Sequence, residues 1–478
     1  MKNLGKKSKI GLLWDLSGSL LKQLIFLVVT IILARILGPK EYGLIAMALV
    51  FIHIAHVFTD AGFTSGLIQQ KNTKDIALSS IFYINLVISI LLSILIILLA
   101  PFIADFYEEP RLVDVLIYLS IVPPIAALGR VQSTILTKVI DFKSLTIRGV
   151  ISSIVSGGLG ILAALNDYGV YSLVIQQISG VAISTILLWY ATKWRPKLEF
   201  SMFEVKRLFS YSSYVFLDVI LRQTFNKIDT VFIGKVFSPV ILGFYSRAET
   251  LKSQVQSYTT QSLSKVIFPV LSTLQDNDEG FLYTYLKVFK IITGLIVFIV
   301  APLYFLSHFI IMLLLGPKWE QSVIIFQLLI LTLITTPQIN VMGKAILAKG
   351  HSKLKFHIGL IQRLIKLSPI AVGLFYGIVE FTLAIVLSSF LIFFITILIL
   401  EIKLKISFWL HLKNFLIPNF LFFSFIVLHF FFKNDINQWI FAFAFLLIQL
   451  LIMILIEHDS YIFVKNNFSI LFKKFKRK

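Results

Sequence analysis

Residues 21–43 read LKQLIFLVVTIILARILGPKEYG, and residues 221–243 read LRQTFNKIDTVFIGKVFSPVILG. The first stretch is apolar over most of the length needed to cross a ~30 Å hydrocarbon core, which takes about 20 helical residues. Laid over the second at a shift of 200 residues, Leu21-Lys22-Gln23 falls on Leu221-Arg222-Gln223, Arg35 on Lys235, Pro39 on Pro239 and Gly43 on Gly243. Ala100-Pro101 and Ala301-Pro302 continue the register one residue off. Basic, proline and glycine positions that coincide between two hydrophobic segments mark an internal repeat.

Similar apolar runs recur along all 478 residues, which are 58% hydrophobic and only 14% charged. Soluble domains carry roughly 25% charge, so a soluble fold is excluded. A transmembrane β-barrel is excluded too, because its strands alternate apolar and polar residues. The net charge of +20 is no nucleic-acid signal, since the bases lie in short connectors and the two tails. The absence of cysteine removes disulfides, thiol catalysis and thiolate metal sites. Lys2, Lys6, Lys7 and Lys9 make a basic start, but the apolar run continues to Leu37 without a small-residue cleavage pattern and reads as a retained first span.

The expectation is an all-α, polytopic membrane protein of about fourteen spans, from Leu12–Leu37 to Ile436–Ile456. Six spans separate the repeat copies. That even number gives both halves the same orientation about an axis along the membrane normal. The organisation expected is an N-terminal lobe over 1–200, a C-terminal lobe over 201–405, two further spans over 406–458 and a basic tail over 459–478.

Bases set the topology. One side holds the N-terminal lysines, Lys71 and Lys74, Lys138 and Lys143, the run Lys193–Arg207, Lys349–Lys355, Lys403–Lys413 and Lys473–Lys478. The other holds little beyond Lys40, Arg111, Lys318 and Lys433, and its 105–114 connector is acidic. The positive-inside rule makes the rich side cytoplasmic, with both termini there. Only the acidic 276–280 connector runs against the pattern.

Ionisable groups at membrane depth cost several kcal/mol unless they meet water or a partner, so they mark candidate sites. Lys22 and Arg222 sit about 15 Å into equivalent spans. In the eighth span, Arg247, Thr250, Gln254, Ser257, Gln261 and Ser264 follow one helical face, with Glu249 and Lys252 beside it, which suits a water-filled cavity or, as the alternative, an interfacial helix with its polar face in the cytoplasm. Further bases are Arg130, Lys227, Arg363 and Lys366, and the acids are Asp15, Asp60, Asp218 and Asp229. Arg130, near a span end, reads as a snorkelling side chain. Bases outnumber acids, so the deep sites favour anions, and arginine matches phosphate through paired donors. Glutamine and hydroxyl side chains suit sugars.

Enzyme signals are weak. Asp276 and Asp278 spell a D-x-D pattern in a solvated connector, and His53 and His56 share a helical face as a proton-relay or metal pair without a third ligand nearby. No catalytic residue, metal site or cofactor is expected. Without a G-x-x-x-x-G-K loop, transport would draw on a gradient, the membrane potential or product consumption.

Several motifs carry a family resemblance: Ile32 through Gly43 with Asp60-Ala61-Gly62, Asn226 through Gly234, Leu242 through Ala248, Val266-Ile267-Phe268-Pro269, and Leu315-Gly316-Pro317-Lys318-Trp319. They resemble the Wzx-like polysaccharide flippases of the multidrug/oligosaccharidyl-lipid/polysaccharide (MOP) exporter superfamily, over spans one to ten. Ser238 departs from the glycine of the first copy, Gly38, which bears on the local turn. The resemblance implies a bacterial inner-membrane protein that moves undecaprenyl-diphosphate-linked oligosaccharide from the cytoplasmic to the periplasmic leaflet by alternating access. Lys22, Arg222 and Arg247 would then hold the diphosphate, and Gln254 and Gln261 the sugar. Asp60, Asp218, Asp229 and Glu249 would be coupling candidates. The Phe-rich thirteenth and fourteenth spans would offer the lipid tail an opening. Partners would be the lipid-linked substrate, membrane lipid and polysaccharide polymerase or chain-length proteins, with no nucleic acid. The rivals are a cation-coupled multidrug antiporter, which would call for acids at depth, and a membrane polymerase or ligase, which would call for a large external loop. A non-transporting assembly partner is a third.

Overall fold

The computed structural model describes residues 2–60, 62–70, 73–431 and 438–455; the basic tail expected over 459–478 lies outside the described residues. Among the described residues the chain is helical, with no strand. It divides into two compact units, Met1–Ser246 and Arg247–Lys478.

The first unit holds α1 (Lys2–Ile36), α2 (Pro39–Asp60), α3 (Phe63–Gln69), α4 (Asp75–Tyr107), α5 (Leu112–Leu119), α6 (Val122–Lys138), α7 (Phe142–Leu165), α8 (Val170–Ala191), α9 (Met202–Val236) and the start of α10 (Pro239–Thr273). The second holds the rest of α10, then α11 (Asp278–Phe305), α12 (Ser307–Leu314), α13 (Ser322–Leu331), α14 (Thr336–Ala348), α15 (Ser352–Ile365), α16 (Ser368–Phe375), α17 (Ile378–Leu404), α18 (Phe408–Phe431) and α19 (Gln438–Leu455). Among the described residues, eleven stretches are long and apolar enough to cross a membrane. The expectation of about fourteen therefore stands at eleven by that measure. The remaining three segments are α9 and α10, each 35 residues long but rich in polar side chains, and the shorter apolar α19.

Prolines break the long spans, and neighbouring hydroxyls repair the damage. Pro124 has no N–H for the Ser120 carbonyl four residues back. The Ser93 hydroxyl of α4 donates to that carbonyl instead, at 2.5 Å. At the α15–α16 break, the Ser368 hydroxyl donates at 2.8 Å to the Ile365 carbonyl that Pro369 leaves free. In a hydrocarbon setting, each repair avoids an unpaired backbone group costing several kcal/mol.

The repeat register is also a contact. A Cβ on Gly43 would stand 1.7 Å from the Pro239 carbonyl oxygen, and one on Gly243 would stand 1.9 Å from that of Pro39. The first turns of α2 and α10 thus cross backbone to backbone, each glycine against the other copy's proline. Both helices begin with proline at the first helical position, where a missing N–H costs nothing. Their caps are complementary halves of one capping box. In the first copy the Glu41 carboxylate accepts from the Gly38 N–H at 3.0 Å; in the second the Ser238 hydroxyl oxygen accepts from the Ile241 N–H at 3.2 Å. Ser238 replaces glycine without loss because it caps with its own side chain.

Charged connectors gather at the ends of each unit. At one end of the first, Lys197 pairs with Asp75 at 3.1 Å and Lys138 donates to Thr73. At the other, Lys235 pairs with Glu108 at 2.7 Å, while Lys40 and Arg111 reach Glu109 at 3.5 and 3.2 Å. In the second unit, Lys349 binds Asp278 at 2.6 Å and the Gln275 carbonyl at 2.7 Å. The acidic 276–280 connector is thereby tied to the basic 349–355 connector, which accounts for its exceptional sign.

The second unit's core is aromatic. Tyr285, fully buried, bonds the His411 Nε2 at 2.7 Å, and the His411 Nδ1 lies 3.0 Å from the Ser407 carbonyl. That carbonyl can only accept, so Nδ1 carries the proton and the tyrosine hydroxyl donates to Nε2. Phe422 and Phe445, on the Phe-rich α18 and α19, are buried against Phe305 of α11. Phe420 and Phe443 face outward. The phenylalanine richness of these helices is therefore half core packing.

Candidate cationic cavity in the first unit

A cavity of about 460 Å³ opens between α2, α3, α6 and α9, wholly inside the first unit. Helix α2 contributes His53, His56, Val57 and Asp60, which recur at helical spacing along one face. Helix α9 contributes Phe216, Val219, Gln223 and Lys227, a second such face running roughly 17 Å along its axis. Arg130 projects from α6, Ser65 from α3, and Gly62 closes the wall in the turn between α2 and α3. Its φ of 75° lies in the left-handed region that glycine alone adopts without cost.

Arg130 is held from two sides. Its Nε lies 3.8 Å from the Asp60 carboxylate, and a terminal nitrogen donates to the His56 carbonyl at 3.4 Å. Asp60 is fixed in turn by the Thr64 hydroxyl one helical turn on. The guanidinium is therefore anchored, not snorkelling as the sequence suggested, because α2 supplies a carboxylate and a carbonyl at its depth. Lys227 and Arg130 line the same cavity as His53 and His56. Among the described lining residues, the bases Arg130 and Lys227 outnumber the carboxylate Asp60, apart from the histidines. An anion with several oxygens fits that sign and, at 460 Å³, that volume. Among the described residues no three His, Cys, Asp or Glu side chains converge as a metal site would require.

Of the residues singled out from sequence, His53, His56, Asp60, Arg130 and Lys227 line this cavity. Lys22 is half-buried in the seam of α1 against α7, where a Cβ on Gly149 would lie 2.6 Å from its Cδ. Arg222 is exposed, and its neighbour Gln223 lines the cavity in its place. Asp218 and Asp229 are half-buried on α9 outside the lining. Arg247, Glu249 and Gln254 are half-buried on the part of α10 that belongs to the second unit, and Glu249 pairs there with Lys252 at 3.1 Å. Gln261 lies outside the residues whose side chains are described. The cavity's own group was visible in the sequence as two periodic faces, 53-56-60 and 216-219-223-227. The sequence named His53, His56, Asp60, Arg130 and Lys227 separately; that they share one cavity needed the packing of α2, α6 and α9.

Fold and cavity define a class: an integral membrane protein of many helices, with a duplicated helix-turn-helix and a cavity lined by basic side chains between the α2–α3 and α6 spans and the polar helix α9. Comparison with known proteins then gives the family. The polysaccharide biosynthesis protein family model matches residues 32–324, and the chain belongs to that family. It is 25% identical over 305 residues to the teichuronic acid biosynthesis protein TuaB of Bacillus subtilis (strain 168), covering 63% of each chain. The match thus spans less than two thirds of that relative's length. It is 22% identical over 381 residues to the lipopolysaccharide biosynthesis protein WzxC of Escherichia coli (strain K12), covering 78% of this chain and 76% of the relative. In three dimensions it resembles the lipid II flippase MurJ in an inward closed conformation, with a TM-score of 0.70 at 18% identity over 96% of this chain and 100% of that one. The family found is the one the motifs suggested.

Proposed function

We propose that this protein is a flippase for polyprenyl-diphosphate-linked oligosaccharide, carrying it from the cytoplasmic to the periplasmic or outer leaflet of a bacterial inner membrane for surface polysaccharide synthesis. The observation that carries the reading is the cationic cavity among membrane-spanning helices. A diphosphate bearing sugars cannot pass through hydrocarbon unaided, because each charge there costs many kcal/mol. A fixed guanidinium and an ammonium offer phosphate the charge and donors that water otherwise supplies. Gln223 and Ser65 offer amide and hydroxyl groups to sugars, while the polyprenyl tail stays in lipid. The lobes 1–200 and 201–405 would be the halves that alternate access, with both termini cytoplasmic. Lys22, Arg222 and Arg247 would be further bases met by the headgroup, with Gln254 and Gln261 as sugar contacts. Polymerase and chain-length proteins would take the product. A cation antiporter fits less well, since Asp60, the carboxylate among the described lining residues, is already paired with Arg130. A polymerase or ligase fits less well because no connector between the described helices is long enough to hold a catalytic domain.

The test is a deletion strain complemented with the wild type or with Arg130→Gln combined with Lys227→Gln. The deletion should accumulate a complete lipid-linked oligosaccharide on the cytoplasmic leaflet, and the variant should fail to clear it at normal membrane abundance. Accumulation of a different intermediate, or full rescue by the variant, would refute the reading.

A further inference from the structure

A lipid-linked oligosaccharide joins its diphosphate to a polyprenyl chain through a single ester oxygen. Wherever the diphosphate rests, an apolar surface must begin close by and lead outward. The cationic cavity has such a surface at one end. Helix α9 runs antiparallel to α2 along it: Phe216 meets Phe58 edge to face at 5.8 Å between ring centroids, and further along α9 a Cβ on Gly234 would stand 3.1 Å from Met47 Cε. Phe216 thus ends the α9 side of the lining near Asp60, the partner of Arg130. Phe209, two turns earlier on the same face of α9, meets Phe216 at 6.3 Å and Phe63 of α3 at 6.1 Å. Phe63 is 3% exposed and sits in the core with Leu67, Phe82, Val131 and Leu208. Phe58 and Phe209, by contrast, are 39% and 41% exposed. The four rings make one continuous aromatic surface, rooted in the core at Phe63, facing the cavity at Phe216 and open at Phe58 and Phe209.

Resting on the flippase reading, we propose that Phe58, Phe209 and Phe216 hold the first isoprene units of the polyprenyl tail while the diphosphate lies at Arg130. The occupant follows from covalent continuity. Phe216 belongs to both the cavity lining and the ring surface, so a chain leaving a diphosphate at that end is led onto the rings. Phenylalanine offers an unsaturated, branched hydrocarbon broad apolar contact and leaves no polar group unpaired beside it. Beyond the exposed rings the rest of the chain runs into lipid. The tail therefore leaves from the first unit, and not along the Phe-rich α18 and α19 of the second, where Phe420 and Phe443 face outward.

The probes are methyl diphosphate and geranyl diphosphate, which share a headgroup and differ in the apolar chain. Binding to full-length protein in lipid nanodiscs is measured calorimetrically, with empty nanodiscs subtracted. Each methylene-sized group taken from water is worth about fourfold in affinity, so partial cover of the geranyl chain should make it bind about 10- to 100-fold tighter than methyl diphosphate. Phe58→Ala combined with Phe209→Ala should lose most of that advantage while binding methyl diphosphate as the wild type does. Phe420→Ala combined with Phe443→Ala should keep it. On the unaltered protein, a geranyl diphosphate bearing a diazirine should, when irradiated, label the peptides that hold Phe58 and Phe209. Equal binding of the two probes by the wild type, an advantage that survives in the first double variant or vanishes in the second, or labelling confined to α18 and α19 overturns the tail site and leaves the anion site standing. Failure of the wild type to bind either probe overturns the anion site, and the tail site with it.

Discussion

Replacing Gly43 by alanine tests the backbone crossing of the two repeat copies. Gly43 lies inside α2, and helix propensity alone favours alanine there by about 1 kcal/mol. The structure forecasts the opposite sign. The new methyl would stand 1.7 Å from the Pro239 carbonyl oxygen, where ordinary contact begins at 3.4 Å, so the two helix starts must part by roughly 1.7 Å. The obstructing atom is backbone, which cannot swing aside as a side chain would. Overpacking of this kind costs about 1–3 kcal/mol, enough to cancel or outweigh the propensity gain. Gly243→Ala meets the mirrored obstacle, 1.9 Å from the Pro39 oxygen, and should behave the same way. Gly158→Ala, in α7 with nothing within 4 Å of the new methyl, is the control that should gain stability or hold it. Thermal midpoints of the three detergent-purified variants, compared at one scan rate because membrane proteins often unfold irreversibly, give the answer. Two lowered midpoints beside an unchanged or raised control support the crossing; Gly43→Ala as stable as Gly158→Ala refutes it.

Four further expectations follow from particular contacts. Tyr285→Phe leaves His411 Nε2 without its donor in a buried site and should cost about 1–3 kcal/mol, read as a lower melting midpoint with little change in export per molecule. In complementation assays, Arg130→Gln or Lys227→Gln should depress surface polysaccharide more than Lys22→Gln or Arg222→Gln; the reverse ranking would move the anion site to the sequence-derived pair. The Glu108 carboxyl is held below its ordinary range by the hydrogen bond and charge of Lys235, so this pair stabilises the fold above about pH 4.3 and the contribution is lost as pH falls through the lowered value. Glu108→Gln should therefore flatten the fall of the melting midpoint between pH 6 and pH 3. Reporter fusions at Lys197 and Glu108 should read cytoplasmic and periplasmic respectively, and the same reading from both would break the topology.

The membrane class, the helix order and the repeat register were legible because each is a one-dimensional property. Apolar run length fixes what can cross a bilayer, and matching proline, glycine and basic positions align the copies without any knowledge of packing. The sorting of connectors by charge was legible for the same reason, and at 276–280, where it failed, the missing information was a partner, Lys349, 71 residues away. Ser238 could be read as a departure, but its compensation as a cap needed the position of the Ile241 N–H. The candidate site divided the same way. Depth and sign were the clues taken, and they pointed to Lys22 and Arg222, the bases with the clearest repeat symmetry. Which base meets a cavity is decided by the rotation of each helix about its axis and by what packs opposite. Sequence fixes the first only modulo the neighbours and says nothing of the second. Lys22 turns into the α1–α7 seam because Gly149 leaves room for it. Arg130, read as a span-end residue, turns inward because Asp60 and the His56 carbonyl of another helix receive it. Sequence by itself determined that this chain spans the membrane, in repeated form, with more deep bases than acids. Only the tertiary structure decided which of those bases share a cavity, because that depends on contacts between helices distant in the chain.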